Sequence, residues 1–74
     1  MARGKYTVYN TESREWLEMV LRPIPEDRCM VTRYTRDITR AMRFPGKKGA
    51  MQMIYKLGGY GFLVVKNERG EVVG

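Results

Sequence analysis

The basic side chains are the residues of this sequence with the clearest chemistry, and they are unevenly distributed. The 74 residues carry a formal net charge of +6. Residues 28–56 hold eight Lys and Arg against one acid, whereas residues 1–27 hold four basic and five acidic side chains and residues 57–74 hold two of each. Charge concentrated in one segment attracts a polyanion more strongly than the same charge spread evenly. We therefore expect the contact with nucleic acid or with an acidic partner to involve Arg33, Arg36, Arg40, Arg43, Lys47 and Lys48.

Three of these arginines have helical spacing. Arg36, Arg40 and Arg43 follow one another at i, i+4 and i+7, which places them on one face of a helix. Ile38, Ala41 and Met42 fall on the opposite face, and Thr35 or Asp37 can cap the first turn. The spacing predicts a short helix over residues 37–44 with a basic outer face. The alternative is that this charge only solvates the surface of a small protein.

The stretch Gly46-Lys47-Lys48-Gly49 is a candidate phosphate loop. Glycines expose backbone amides, a helix start is positive, and two lysines add charge. It resembles the Gly-x-x-Gly loop of KH domains, which joins two helices and clamps a nucleic-acid backbone. The resemblance covers about residues 37–66 and departs from the family at Pro45 and Gln52. It implies direct RNA or DNA binding; the alternative is a plain connection between two helices.

Two aromatic residues are candidate contacts. Tyr34 lies between Arg33 and Arg36 in the sequence, and aromatic rings among cations can stack on unpaired bases. Trp16 faces away from the core if its segment is a strand, and it is then a candidate anchor for a protein partner. Core packing is the alternative for both.

Several function classes are excluded by composition. The chain has no His and one cysteine, Cys29, so it has no histidine-based catalytic relay, zinc cluster or disulfide framework. No acidic residue falls within an apolar stripe, so we expect a non-enzyme without cofactor or metal. No apolar run is long enough to cross a bilayer, and no signal peptide is recognisable at the N-terminus, so we expect a cytoplasmic protein without a membrane partner.

The pattern of apolar residues indicates alternating strands and one further helix. Residues 15–22 fit either a helix, which the local pattern slightly favours, or the second strand of a hairpin, which we favour because of the resemblance given below for the whole chain. Apolar residues at helical spacing predict a helix over 48–57, ended by two glycines. Period-two alternation predicts strands over 5–10, 29–34 and 60–66, with a short edge strand over 71–73.

These elements predict one α+β domain spanning residues 1–74. Its antiparallel sheet has three to five strands, and helices 37–44 and 48–57 pack on one face. The expected core is Val8, Leu17, Met19, Leu21, Val31, Ile38, Ala41, Phe44, Ala50, Ile54, Leu57, Phe62 and Val64.

A second resemblance concerns the whole chain. A start of Tyr6-x-Val8-x-Asn10 with Trp16-Leu17, followed by Thr35-x-Asp37-Ile38-x-x-Ala41-x-x-Phe44, resembles small accessory proteins of phages and prophages. The resemblance implies a protein that binds and disables a host or defence complex, as anti-CRISPR inhibitors do, in the cytoplasm of a bacterial host. It transfers no functional residue. A virion component and self-association remain open alternatives.

Overall fold

The described residues form an antiparallel sheet with one α-helix on it. A computed structural model describes residues 4–21, 31–59 and 61–74. The sheet has the strand order β3-β2-β1-β4, and the helix α1 contacts β1 and β4, so the predicted α+β class is confirmed. The elements are β1 (Thr7–Asn10), β2 (Glu15–Leu21), β3 (Val31–Thr35), α1 (Lys47–Leu57) and β4 (Leu63–Lys66).

Strands β1 and β2 form the favoured hairpin, so the helical alternative is wrong for residues 15–21, the part of this stretch that the structure describes. The Asn10 side chain accepts hydrogen bonds from the backbone N–H groups of Glu12 and Ser13, at 2.9 and 3.0 Å. A turn closed by an asparagine side chain in this way reverses the direction of the backbone, so no helix is needed here. The reversal places Tyr9 directly opposite Trp16 across the two strands.

A β-bulge at Glu18 divides β2. Leu17 pairs with Tyr34, but Met19 pairs with Arg33, so Glu18 is an extra residue in the ladder. A bulge of this kind shifts the alternation of side chains by one position. Val20 therefore packs against the buried core in place of Met19, which corrects the predicted core.

The predicted helix over 37–44 is wrong, because these residues form only a single 3-10 turn, Ile38–Arg40. Beyond it, Ala41 is extended, and the Met42 N–H donates to the Leu17 carbonyl at 2.8 Å. Phe44 then exchanges two backbone hydrogen bonds with Tyr6, at 2.9 and 3.1 Å. Because the sheet takes these backbone groups, they cannot close further helical turns. Ile38, expected in the core, is 41% exposed.

Helix α1 begins and ends at glycines. Gly46 is its extended N-cap, and Gly58 ends it with φ of 68°, a left-handed conformation that favours glycine. The Gly59 N–H donates to the Ile54 carbonyl at 3.0 Å, which closes the last turn. The predicted helix over 48–57 is confirmed, and it starts one residue earlier.

The core lies between α1 and one face of the sheet, which we call the covered face. In β4 the buried residues are Leu63 and Val65, so the predicted choice of Val64 is wrong, whereas Phe62, just before the strand, is partly buried and packs against the core as expected. Phe62 and Val64 alternate with Leu63 and Val65, and all four are apolar, so period alone could not tell which pair is buried. The buried cluster consists of Val8, Leu17, Phe44, Ala50, Ile54, Leu63 and Val65.

The outer edge of β4 is paired with the last residues of the chain. The Val73 N–H donates to the Val65 carbonyl, and the Val65 N–H donates to the Gly74 carbonyl, both at 2.8 Å. Val72 also forms a bridge with Lys66. The predicted edge strand over 71–73 therefore corresponds to a short paired segment.

Some predictions fall outside the described part of the structure. They concern Arg28, Cys29 and the first residues of the strand over 29–34. The side chains of Leu21 and Val31, both expected in the core, are also outside it.

Candidate nucleic-acid interface

Arg33 and Arg40 meet at one carboxylate. Arg33 extends from β3 and Arg40 ends the 3-10 turn, and their guanidinium groups lie 4.0 and 3.8 Å from the two carboxylate oxygens of Glu18. The Glu18 side chain is 12% exposed, whereas those of Arg33 and Arg40 are 62% and 64% exposed. One partly buried acid thus holds two exposed cations together, which leaves a net positive charge and free guanidinium donors.

Arg36 and Arg43 belong to the same stretch of chain. Arg36 is exposed in the turn after β3. The Arg43 Nη2 donates to the Ile38 carbonyl at 3.3 Å, so this side chain folds back on the 3-10 turn. Since the predicted helix is absent, these arginines do not share a helix face with Arg40. We call Arg33 and Arg40, which meet at Glu18, the arginine cluster.

The stretch Gly46-Lys47-Lys48-Gly49 is not a loop between two helices, which removes the basis of the KH resemblance. Gly46 is the N-cap of α1, and the other three residues form its first turn. Lys47 and Lys48 are exposed there, and this turn contains no acidic residue. The lysines therefore add their charge to the positive end of the helix.

The two predicted aromatic contacts lie on opposite faces of the sheet. Tyr34 pairs with Leu17 and packs against the core, so it belongs to the covered face. Trp16 precedes Leu17 and pairs with Thr35, which puts it on the other face. We call this second face the open face.

A row of residues crosses the open face through all four strands. By register, Thr35, Trp16, Tyr9 and Val64 lie side by side from β3 to β4. The Tyr9 and Trp16 rings meet edge to face, with centroids 5.1 Å apart. The Lys66 Nζ lies 3.8 Å from the centre of the Tyr9 ring and 6.0 Å from that of Trp16. The open face therefore contains an aromatic pair next to a cation.

Tyr9 and Lys66 were not among the predicted site residues, although one signal for Tyr9 was present in the sequence. Alternation in β1 places Tyr9 and Val8 on different faces of the sheet. The hairpin then brings Tyr9 beside Trp16. For Lys66 there was no such signal, because its place depends on the pairing of β4 with β1. That pairing joins residues far apart in the chain.

Asp37 organises the 3-10 turn that ends in Arg40. Its carboxylate accepts hydrogen bonds from the Thr39 hydroxyl at 2.6 Å and the Thr39 N–H at 3.0 Å. Both hydrogen bonds lower the pKa of Asp37, and the bond from the Thr39 hydroxyl contributes more than the bond from the Thr39 N–H. Hydrogen bonds to the ionised form have this effect, which identifies Asp37 as a capping group.

Comparisons with known proteins give no relative. No protein family matches the chain, and no curated protein or solved structure matches it. Among residues 4–21, 31–59 and 61–74, no group of three or more Cys, Asp or Glu could hold a metal ion. In the same residues, no helix is long and apolar enough to span a membrane.

Proposed function

We propose that this chain is a non-enzymatic protein that binds nucleic acid, with the arginine cluster as its main contact. The observation that carries the proposal is the shared carboxylate of Glu18, which holds Arg33 and Arg40 together while both stay mostly exposed. Guanidinium groups bind phosphate through paired, charge-assisted hydrogen bonds. Two adjacent exposed guanidinium groups therefore provide a site for a phosphate backbone.

The overall charge supports the same proposal. The net charge of +6 attracts a polyanion over long range, and Lys47 and Lys48 extend the basic segment beyond the arginine cluster. Binding through phosphates releases counterions, so the affinity depends steeply on salt concentration. This property distinguishes backbone binding from an apolar contact.

The test is a titration of fluorescent oligonucleotides, single-stranded and duplex, at two salt concentrations. We expect the affinity to fall steeply with salt, and we expect Arg33→Ala and Arg40→Ala each to reduce the slope by about one. Both variants should fold, because each leaves Glu18 with one arginine partner, and ion pairs with mostly exposed arginines contribute little stability. Arg69→Ala is the matched control, since it removes an exposed arginine outside the basic segment. Absence of binding at low salt, or an equal loss with Arg69→Ala, would contradict the proposal.

A second candidate function is binding to a host or defence protein complex, as the phage-like sequence pattern predicts. A concave surface of about 500 Å³ on the exposed side of α1 favours it. Its lining combines two cations with apolar and aromatic surface, which suits an acidic protein: Lys47, Lys48, Met51, Gln52 and Tyr55. The test is capture of a defined protein complex from nuclease-treated bacterial lysate. Loss of that complex with Met51→Ser, but not with Arg69→Ala, would support this candidate, and equal capture by both variants would exclude it.

A further inference from the structure

The open face carries aromatic side chains next to a cation, and solubility alone does not require such an arrangement. Thr7 and Tyr9 of β1, Trp16 of β2 and Lys66 of β4 share this face by register. Within the described residues, the α-helix packs on the opposite face through Ala50 and Ile54. No helix of residues 4–21, 31–59 and 61–74 therefore lies over the aromatic pair.

Two polar atoms of this face lack hydrogen-bond partners. The Trp16 Nε1 and the Thr7 Oγ1 are both buried, and neither forms a hydrogen bond; Thr7 is 2% exposed. A buried polar group without a partner is costly, so such groups are rare in folded proteins. Both atoms have almost no accessible surface, so a ligand on this face would reach them only if the groups that enclose them moved aside.

The charges around the aromatic pair select the ligand. The Lys66 ammonium lies against the Tyr9 ring, and Arg33 lies on the same face beyond Thr35, two residues along β3. The open face thus carries one cation on each outer strand of the four-stranded sheet, Lys66 against the Tyr9 ring and Arg33 paired with Glu18. Single-stranded nucleic acids are bound by this combination, because bases stack on aromatic rings while cations follow the phosphates. A duplex keeps its bases stacked on one another and offers this face only its backbone.

We infer that the open face is a stacking site for unpaired bases of single-stranded nucleic acid, with Trp16 and Tyr9 as the stacking residues. A base that stacks on the pair displaces the Lys66 ammonium from the Tyr9 ring toward a phosphate. The inference rests on the proposed function, since the arginine cluster supplies the remaining backbone contacts through Arg33. It adds a preference for single-stranded over duplex nucleic acid, which charge alone does not give.

The test measures the affinity of the full chain for a short oligo-dT, for a duplex and for an abasic single strand, all of equal length. We expect oligo-dT to bind at least about fivefold more tightly than the other two, because one stacked base has this effect or more. Trp16→Leu should weaken oligo-dT binding by roughly 5- to 150-fold and leave duplex binding unchanged. Trp16→Phe should restore much of the affinity, because it restores an aromatic ring.

Tyr6→Leu is the matched control, because Tyr6 is half-buried like Tyr9 and Trp16 but packs against the core on the covered face. It should bind oligo-dT like the unmodified chain, and thermal unfolding checks that each variant folds. If oligo-dT, duplex and abasic strand bind equally and Trp16→Phe behaves like Trp16→Leu, the inference is wrong while the proposed function stands. If polyglutamate displaces the labelled oligonucleotide as well as unlabelled oligo-dT does, the site recognises negative charge and not bases. The inference is then again wrong. If nothing binds at low salt, both fail.

Discussion

The covered and open faces of the sheet are built from the same strands but differ in the residues they present. On the covered face, Val8, Leu17 and Val65 are each 0% exposed and pack with α1. On the open face, Tyr9 and Trp16 are half-buried, with Lys66 beside them. One face of this small sheet thus holds the fold together, and we propose that the other binds single-stranded nucleic acid. Substitutions should therefore separate stability from binding according to the face they touch.

The largest expected effect is on the covered face. Leu17→Ala removes one of the largest fully buried side chains, so we expect the free energy of unfolding to fall by about 2–5 kcal/mol. A domain of this size has little stability to lose, and the variant should be mostly unfolded at moderate temperature. Urea denaturation followed by circular dichroism measures it. A loss below about 1 kcal/mol would mean that Leu17 is not central to the core.

A matched pair in β4 sharpens the comparison. Val65 is buried on the covered face, whereas its neighbour Val64 is half-buried on the open face. We expect Val65→Ala to lower the free energy of unfolding by about 2 kcal/mol, and Val64→Ala by less than about 1 kcal/mol, because less apolar surface is lost. Equal losses in the same denaturation assay would contradict the assignment of the two faces.

The smallest effect concerns the 3-10 turn, which carries Arg40 and belongs to neither face. The pKa of Asp37 is lowered in the folded protein, so its ionised form stabilises the fold at pH values above the ordinary aspartate pKa. This contribution is lost as the pH falls through the lowered pKa. In Asp37→Asn, the free energy of unfolding should therefore fall slightly less steeply as the pH is lowered. Denaturation experiments at several acidic pH values measure this dependence. An unchanged profile would show that Asp37 does not couple to folding.

The sequence predicted the elements better than it predicted which side of each strand is buried. The helix α1 and the turn after Asn10 follow from local signals, namely terminal glycines and turn residues. The hairpin itself was favoured by the resemblance, since the local pattern of residues 15–22 slightly favours a helix. The bulge at Glu18 has no such signal, and it exchanges Met19 for Val20 in the core. The helix expected over 37–44 does not form, because Phe44 pairs with Tyr6. This contact joins distant parts of the chain.

The candidate site shows the same division. The basic residues were recognisable from composition, but their helical arrangement was wrong, and the contact of Arg33 and Arg40 with Glu18 depends on the fold. Trp16 was expected on an outward strand face, and the structure places it there. Its neighbours Tyr9 and Lys66 were missed, because their proximity requires the register of three strands.

The most direct measurement uses the fluorescence of Trp16, which is the only tryptophan of the chain. Its emission reports on the open face alone, while the anisotropy of a labelled oligonucleotide reports on binding anywhere. We predict that unlabelled oligo-dT quenches the Trp16 emission and saturates at the concentration that saturates the anisotropy, whereas a duplex leaves the emission unchanged. Binding of oligo-dT by anisotropy with unchanged Trp16 emission would contradict the assignment of the open face as the binding face.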